Sequence, residues 1–201
     1  MLAFCLAVFL LLITPGPGVL STAGVGAAFG FQAGLRYVCG LCIGTNLVAL
    51  IVVSGLAAVI LSSSWARNGL LIMSSLYLLY LAARIALAGR RIAFITAASI
   101  PGLRAGLLLQ LINPKAYVVN LTWFSGFMLL PNALLLETLV KFLIINLLWI
   151  PIHLLWLLAG NSVNQLDLSP RAHMLINTGM ALAMLIVVAL AMIPLAYPGS
   201  L

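Results

Sequence analysis

Lys115 is the one basic residue deep inside an apolar run, and it stands in the stretch Asn113-Pro114-Lys115-Ala116. A charge placed in hydrocarbon is costly and marks a functional position by default. A second stretch, Thr14-Pro15-Gly16-Pro17, interrupts another apolar run with the same grammar, a side chain that accepts a hydrogen bond followed by proline. Thr and Asn are favoured helix N-caps and Pro is favoured at the first helical position, so each stretch reads as one helix stopping and another starting. Such a break survives in a membrane only where protein or a wet cavity covers the freed backbone groups. The fresh N-terminus carries partial positive charge and unpaired N–H groups, which suits an anion. Lys115 falls in the first turn of its half-helix, where ammonium and dipole share a sign and favour an anion between them. A carboxylate of the amino-acid kind fits, and an ammonium on the same solute would find freed carbonyls near Ile13 and Ile112. The alternative for Lys115 is structural: it snorkels, or it binds carbonyls that the break has freed. The candidate substrate-binding set is Thr14, Pro15, Gly16, Pro17, Asn113, Pro114 and Lys115.

Other polar residues lie within the apolar runs. His153 is a candidate for a proton path or for a hydrogen-bonded packing role. Asn46 and Asn146 are candidates for interhelical hydrogen bonding or for polar contact with a solute. Tyr77 and Tyr80 read as packing or interface residues. The two acidic residues, Glu137 and Asp167, fall at the ends of apolar runs, so no carboxylate sits where a proton pump would place one. No cluster of His, Cys, Asp or Glu has metal-ligand spacing, and no Ser-His-Asp arrangement can be read. The expectation is no enzyme, no metal and no cofactor. Cys39-x-x-Cys42 lies in an uncharged, glycine-rich run and reads as small buried residues.

The elements that must position these groups follow from composition. The chain has 201 residues, 65% of them hydrophobic and 5% charged. A soluble domain has roughly a quarter of its residues charged, so a membrane protein is expected. The net charge of +7 comes from arginines standing singly at the ends of apolar runs, which sets membrane orientation and gives no nucleic-acid face. The N-terminal run lacks a basic leader and a small-residue cleavage site and reads as a retained span. Six spans are expected, all α-helical: 1–35 with a turn at Arg36, 37–61, 69–88, 103–130, 137–159 and 174–196. They form a single transmembrane domain over 1–201, with half one at 1–91, a linker at 92–102 and half two at 103–201. Three spans per half invert the second half, and both breaks fall in the first span of their half, near the expected midplane. The glycine ladder Gly26, Gly30, Gly34, Gly40 and Gly44 puts small residues on helix faces that pack closely. Arg36, Arg84, Arg90, Arg91, Arg104 and Arg171 flank the odd-numbered loops, against Arg67 and Lys141 on the other side. The positive-inside rule then puts both termini outside.

Thr14-Pro15-Gly16-Pro17, the glycine ladder and Leu111-Ile112-Asn113-Pro114-Lys115-Ala116, in that order and spacing, resemble the LysE/RhtB family of amino-acid exporters. Weaker matches are the run Leu76-Tyr77-Leu78-Leu79-Tyr80-Leu81 and the stretch 171–179. The resemblance implies a small, multi-pass secondary transporter of the bacterial inner membrane. It would export amino acids or close derivatives, in exchange for protons, through the motif positions Thr14, Pro15, Gly16, Pro17, Asn113, Pro114 and Lys115. Two positions depart from the family pattern. Gly18 follows the first motif where members often carry Asn or Asp, and Thr45-Asn46 follow Gly44 where many carry Asp. Proton coupling through those positions is left open. The partners implied are an amino-acid substrate and membrane lipid, with no nucleic acid; a homo-oligomer is left open. Two other readings are a passive facilitator or channel for small solutes and a non-transporting membrane assembly subunit.

Overall fold

The computed structural model describes residues 1–14, 16–57, 62–86, 100–165 and 169–196, and every regular element among them is α-helical. In chain order these are α1 (Leu2–Ile13), α2 (Pro17–Val53), α3 (Ser64–Ala86), α4 (Leu103–Ile112), α5 (Pro114–Ser125), α6 (Leu134–Gln165) and α7 (Pro170–Ala196). Three stretches, Pro17–Val53, Ser64–Ala83 and Leu134–Val163, are long and apolar enough to cross a membrane; Leu2–Ile13, Leu103–Ile112 and Met174–Ala183 are shorter apolar helices. This is the build of a helical membrane protein. Pro15, Arg90, Arg91, Asp167, most of the linker expected at 92–102 and the final Pro198-Gly199 lie outside the described residues.

α2 is folded back on itself. Tyr37 Oη donates to Ser21 Oγ at 3.0 Å across sixteen residues. A straight helix would hold those positions about 24 Å apart. The reversal is at Gly30, whose φ of 78° and ψ of −179° are the non-helical values inside α2. A positive φ is where glycine has no steric penalty, so the chain turns there. The turn expected at Arg36 is corrected to Gly30, and Arg36 continues the second arm as ordinary helix.

The ladder glycines set how closely the neighbouring helices approach. A β-carbon at Gly40 would lie 1.9 Å from the Leu103 carbonyl oxygen, and one at Gly106 would lie 2.1 Å from that of Tyr37. These two contacts seat α4 on the second arm of α2. A β-carbon at Gly34 would lie 2.0 Å from Leu157 Cδ1, and one at Gly160 would lie 2.1 Å from the Ala23 carbonyl oxygen. Those contacts seat α6 across both arms. α3 packs against α7, and α1 packs against α6 and α5. The core between them buries Phe4, Val8, Tyr37, Leu41, Leu81, Ile85, Leu109, Trp123, Ile145, Trp149 and Leu157.

Glu137 and Lys141 fasten the end of α5 to α6. Lys141, only 1% exposed, pairs with Glu137 at 2.7 Å. Its Nζ also donates to the carbonyls of Phe124 and Phe127. Glu137 Oε2 in turn accepts from the backbone N–H groups of Leu129 and Leu130, at 3.1 and 2.7 Å. The pair satisfies backbone left open beyond the end of α5. Lys141 is therefore an internal, neutralised charge and not a free basic residue at a membrane face.

Candidate functional site

Two interruptions in the helices lie against one another. α1 ends at Ile13 with Thr14 as its C-cap. Both the N–H and the Oγ1 of Thr14 donate to the Leu10 carbonyl, at 3.1 and 2.6 Å. α2 then starts at Pro17 with Gly16 as N-cap. The grammar expected at Thr14-Pro15 is thus displaced by two residues: Thr14 closes the first helix, and Gly16-Pro17 open the second. Gly16 has no side chain to cap with, and Pro17 has no N–H. The N–H groups of Gly18 and Val19 therefore receive no side-chain cap.

At the other interruption α4 ends at Ile112 and α5 starts at Pro114 with Asn113 as N-cap. Asn113 Oδ1 accepts from the Lys115 N–H at 3.1 Å, and the Asn113 carbonyl accepts from the Ala116 N–H at 3.0 Å. The first turn of α5 is thereby closed. The two N-termini are unequal as anion sites: that of α5 is capped from within, and that of α2 is not.

Lys115 joins the two. Its Nζ donates to the Thr14 carbonyl at 3.0 Å, 101 residues away in the chain. A β-carbon at Gly16 would sit 2.8 Å from Nζ, so glycine there lets the ammonium lie across the N-cap of α2. One proton of the three on Nζ is committed to Thr14. The carbonyl freed at the first break thus has a protein partner, and the ammonium stands beside the uncapped start of α2.

A cleft of about 60 Å³ opens at this meeting point. Thr14, Gly16, Pro17, Asn113, Lys115 and His153 all line it; Pro114, Asn46 and Asn146 do not. His153 is buried, and its ring stacks on Trp149 at 3.5 Å between centroids. Its Nδ1 meets the Trp149 carbonyl at 2.9 Å. A carbonyl only accepts, so Nδ1 carries the proton. Nε2 lies beside Gly18, 3.5 Å from where a β-carbon would be. Asn46 and Asn146 instead bond to each other reciprocally, each Nδ2 to the other's Oδ1 at 2.9 Å. Each Nδ2 also donates to a carbonyl one turn back, of Cys42 and of Phe142 respectively. This pair ties the second arm of α2 to α6.

Thr45, Gln110, Asn120 and two tryptophans, Trp123 and Trp149, also line the cleft and are not among the residues expected there from sequence. Gln110 Nε2 donates to Thr45 Oγ1, and Asn120 Nδ2 donates to the Ala116 carbonyl at 2.8 Å. Their signal in the sequence is a polar residue one turn before Asn113 and a polar pair three apart beyond Lys115. Tyr77 Oη donates to the Ala105 carbonyl at 3.0 Å, a packing role between α3 and α4. Cys39 is exposed, contrary to the expectation of a buried residue, and Cys42 is half-buried. No group of three or more His, Cys, Asp or Glu side chains able to hold a metal occurs among the described residues.

Among the described residues, the lining carries one formally charged side chain, Lys115. It is surrounded by neutral donors and acceptors, with Leu11, Leu12, Val19, Ala116 and Val119 as apolar wall. This arrangement suits binding a small anionic or zwitterionic solute. No curated protein and no solved structure matches the chain. The family model of the LysE type translocator matches residues 9–194, nearly the whole chain, so this protein belongs to the LysE translocator family, whose members carry amino acids or related solutes across membranes.

Proposed function

We propose that this protein is a secondary active exporter of amino acids or close derivatives in a bacterial inner membrane. The substrate binds in the cleft between the two helix interruptions, and its carboxylate lies against the Lys115 ammonium and the first N–H groups of α2. The observation that carries this reading is the Lys115 bridge: one ammonium placed over an uncapped helix N-terminus, at the wall of a cleft lined by neutral polar groups. The two-N-terminus arrangement expected from sequence becomes one N-terminus plus one ammonium, because Asn113 already caps α5.

In this reading the chain crosses the membrane six times as two inverted halves. α1 with the first arm of α2, the second arm of α2, and α3 make one half; α4 with α5, α6 and α7 make the other. The two interruptions then fall at corresponding places near the midplane, where secondary transporters bind their substrates. Access alternates between the two faces around the cleft, and both termini face outward.

Counterflow tests the proposal. Purified protein is reconstituted into liposomes loaded with unlabelled amino acids, and uptake of the same radiolabelled amino acid is followed. A carrier gives saturable uptake that depends on the internal solute. Uptake that rises linearly with concentration and ignores the internal solute would identify a channel. Protein that moves no amino acid would favour an assembly subunit.

A further inference from the structure

Resting on the amino-acid reading of the cleft, we propose that Gln110, Asn120 and Trp123 form the subsite that selects the substrate's side chain, and that it takes a primary carboxamide. Among the described residues, four buried side-chain polar atoms lack a hydrogen-bond partner: Gln110 Oε1, Asn120 Oδ1, Trp123 Nε1 and Asn177 Oδ1. Three of the four belong to residues on the cleft wall. Those residues are 8%, 1% and 1% exposed, so bulk solvent does not meet the need. Buried polar groups are rarely left unpaired, and three around one cleft point to a bound group that pairs them.

The free atoms are set by what their partners on the same side chain do. Asn120 Nδ2 is held by the Ala116 carbonyl, which leaves Oδ1 over. Gln110 Nε2 is held by Thr45 Oγ1, which leaves Oε1 over. The indole of Trp123 has a single polar atom, and it only donates. Asn120 and Trp123 lie three apart on α5 and share a face. The residues of this wall thus hold two unpaired acceptors and one unpaired donor, closed to solvent until a ligand parts the side chains over them. The complement of this set brings two protons and one acceptor, which a –CONH2 group carries on one planar unit. A hydroxyl brings one proton. An ammonium has nothing for the indole N–H, a carboxylate has no proton, and an alkyl chain has neither. Among the described residues the cleft has no carboxylate to pair with a cationic side chain. Along α5 the rise from Lys115 to Asn120 is about 7.5 Å, the scale of an amino acid from its carboxylate to the end of a short side chain.

The test is counterflow by the reconstituted full chain with near-isosteric amino acids, each as its own radiolabelled probe: L-glutamine against L-methionine and L-asparagine against L-leucine, with L-threonine and L-lysine alongside. The amide member of each pair should half-saturate at a concentration roughly 10-fold or more below its apolar partner, as expected where a ligand leaves built hydrogen-bonding groups unmet. Trp123→Phe and Asn120→Leu should each narrow that gap. The pairwise comparison is made on the unmutated protein and holds whether or not the variants fold. Equal half-saturation within both pairs, or threonine or lysine matching glutamine, overturns the carboxamide subsite and leaves the amino-acid reading in place. A gap unchanged in correctly inserted Trp123→Phe also overturns it, since an ordered water would then meet the indole. Counterflow of no amino acid at all sinks the exporter reading and the subsite with it.

Discussion

Lys115 serves two ends at once: it closes the Thr14 carbonyl and it supplies the positive charge of the cleft. Lys115→Met keeps the apolar stem and removes the charge. Export per inserted molecule should fall roughly 10- to 150-fold, the equivalent of a charge-assisted hydrogen bond of about 1.5–3 kcal/mol. Efflux divided by the amount of protein in the membrane is the measurement, and a normal ratio would remove Lys115 from the site. Lys115→Arg should recover only part of the activity, because the forked guanidinium is longer and cannot take the same place over Gly16. Gly16→Ala acts on the same contact from the other side. Its β-carbon would meet Nζ at 2.8 Å, so the ammonium must move while the backbone need not. Transport should drop in that variant with little loss of folded protein, as read by size-exclusion of the solubilised protein. Lys115 and Asn113 were legible in the sequence because a charge and a cap stand out inside an apolar run. Thr45 and Asn46 show where the signal runs out. Neighbours on a helix point about 100° apart, and the more polar of the two faces Asn146 while the threonine faces the cleft. Nothing in residue type alone decides which neighbour turns inward.

At the scale of elements, four of the five ladder glycines, Gly26, Gly34, Gly40 and Gly44, prove to be where helices touch backbone to side chain or backbone to backbone, and the fifth, Gly30, is the turn. Gly40→Ala and Gly106→Ala place a β-carbon against a carbonyl that belongs to another helix, which a rotamer change cannot relieve. Each should cost roughly 1–3 kcal/mol by overpacking. Thermal unfolding of the detergent-purified protein measures this. Gly69→Ala in α3 is the control: nothing lies within 4 Å of its β-carbon position, and alanine is the better helix former, so stability should hold or rise slightly. An unchanged melting temperature in Gly40→Ala would mean that α4 can slide on α2. The reversal of α2 was misplaced from sequence because Arg36, a lone charge in an apolar run, looks like a membrane edge. The backbone turns where a residue can take positive φ, six positions earlier at Gly30. A charged residue can sit at a membrane face and remain helical; only the φ requirement singles out the turn.

For the whole molecule, the outstanding question is which way the chain faces, and the charges argue it. Arg36, Arg84, Arg90, Arg91, Arg104 and Arg171 flank the turns after the first, third and fifth crossings of the proposed six. Arg67 and Lys141 stood against them in the sequence. Lys141 stays in that count although the folded protein pairs it with Glu137 at 2.7 Å, because basic residues are read during insertion, before the pair forms, and acidic neighbours contribute little. The contrast is six basic residues against two. On the proposed six crossings, the positive-inside rule would place the six-residue side in the cytoplasm and both termini on the opposite face. A reporter enzyme active only in the cytoplasm, fused after Leu201, should therefore stay silent, and one active only outside should report. Adding a basic pair beside Arg67 should begin to populate the reverse orientation. A strong cytoplasmic signal from the unmutated fusion would overturn the orientation and, with it, the direction of transport assigned to the cleft.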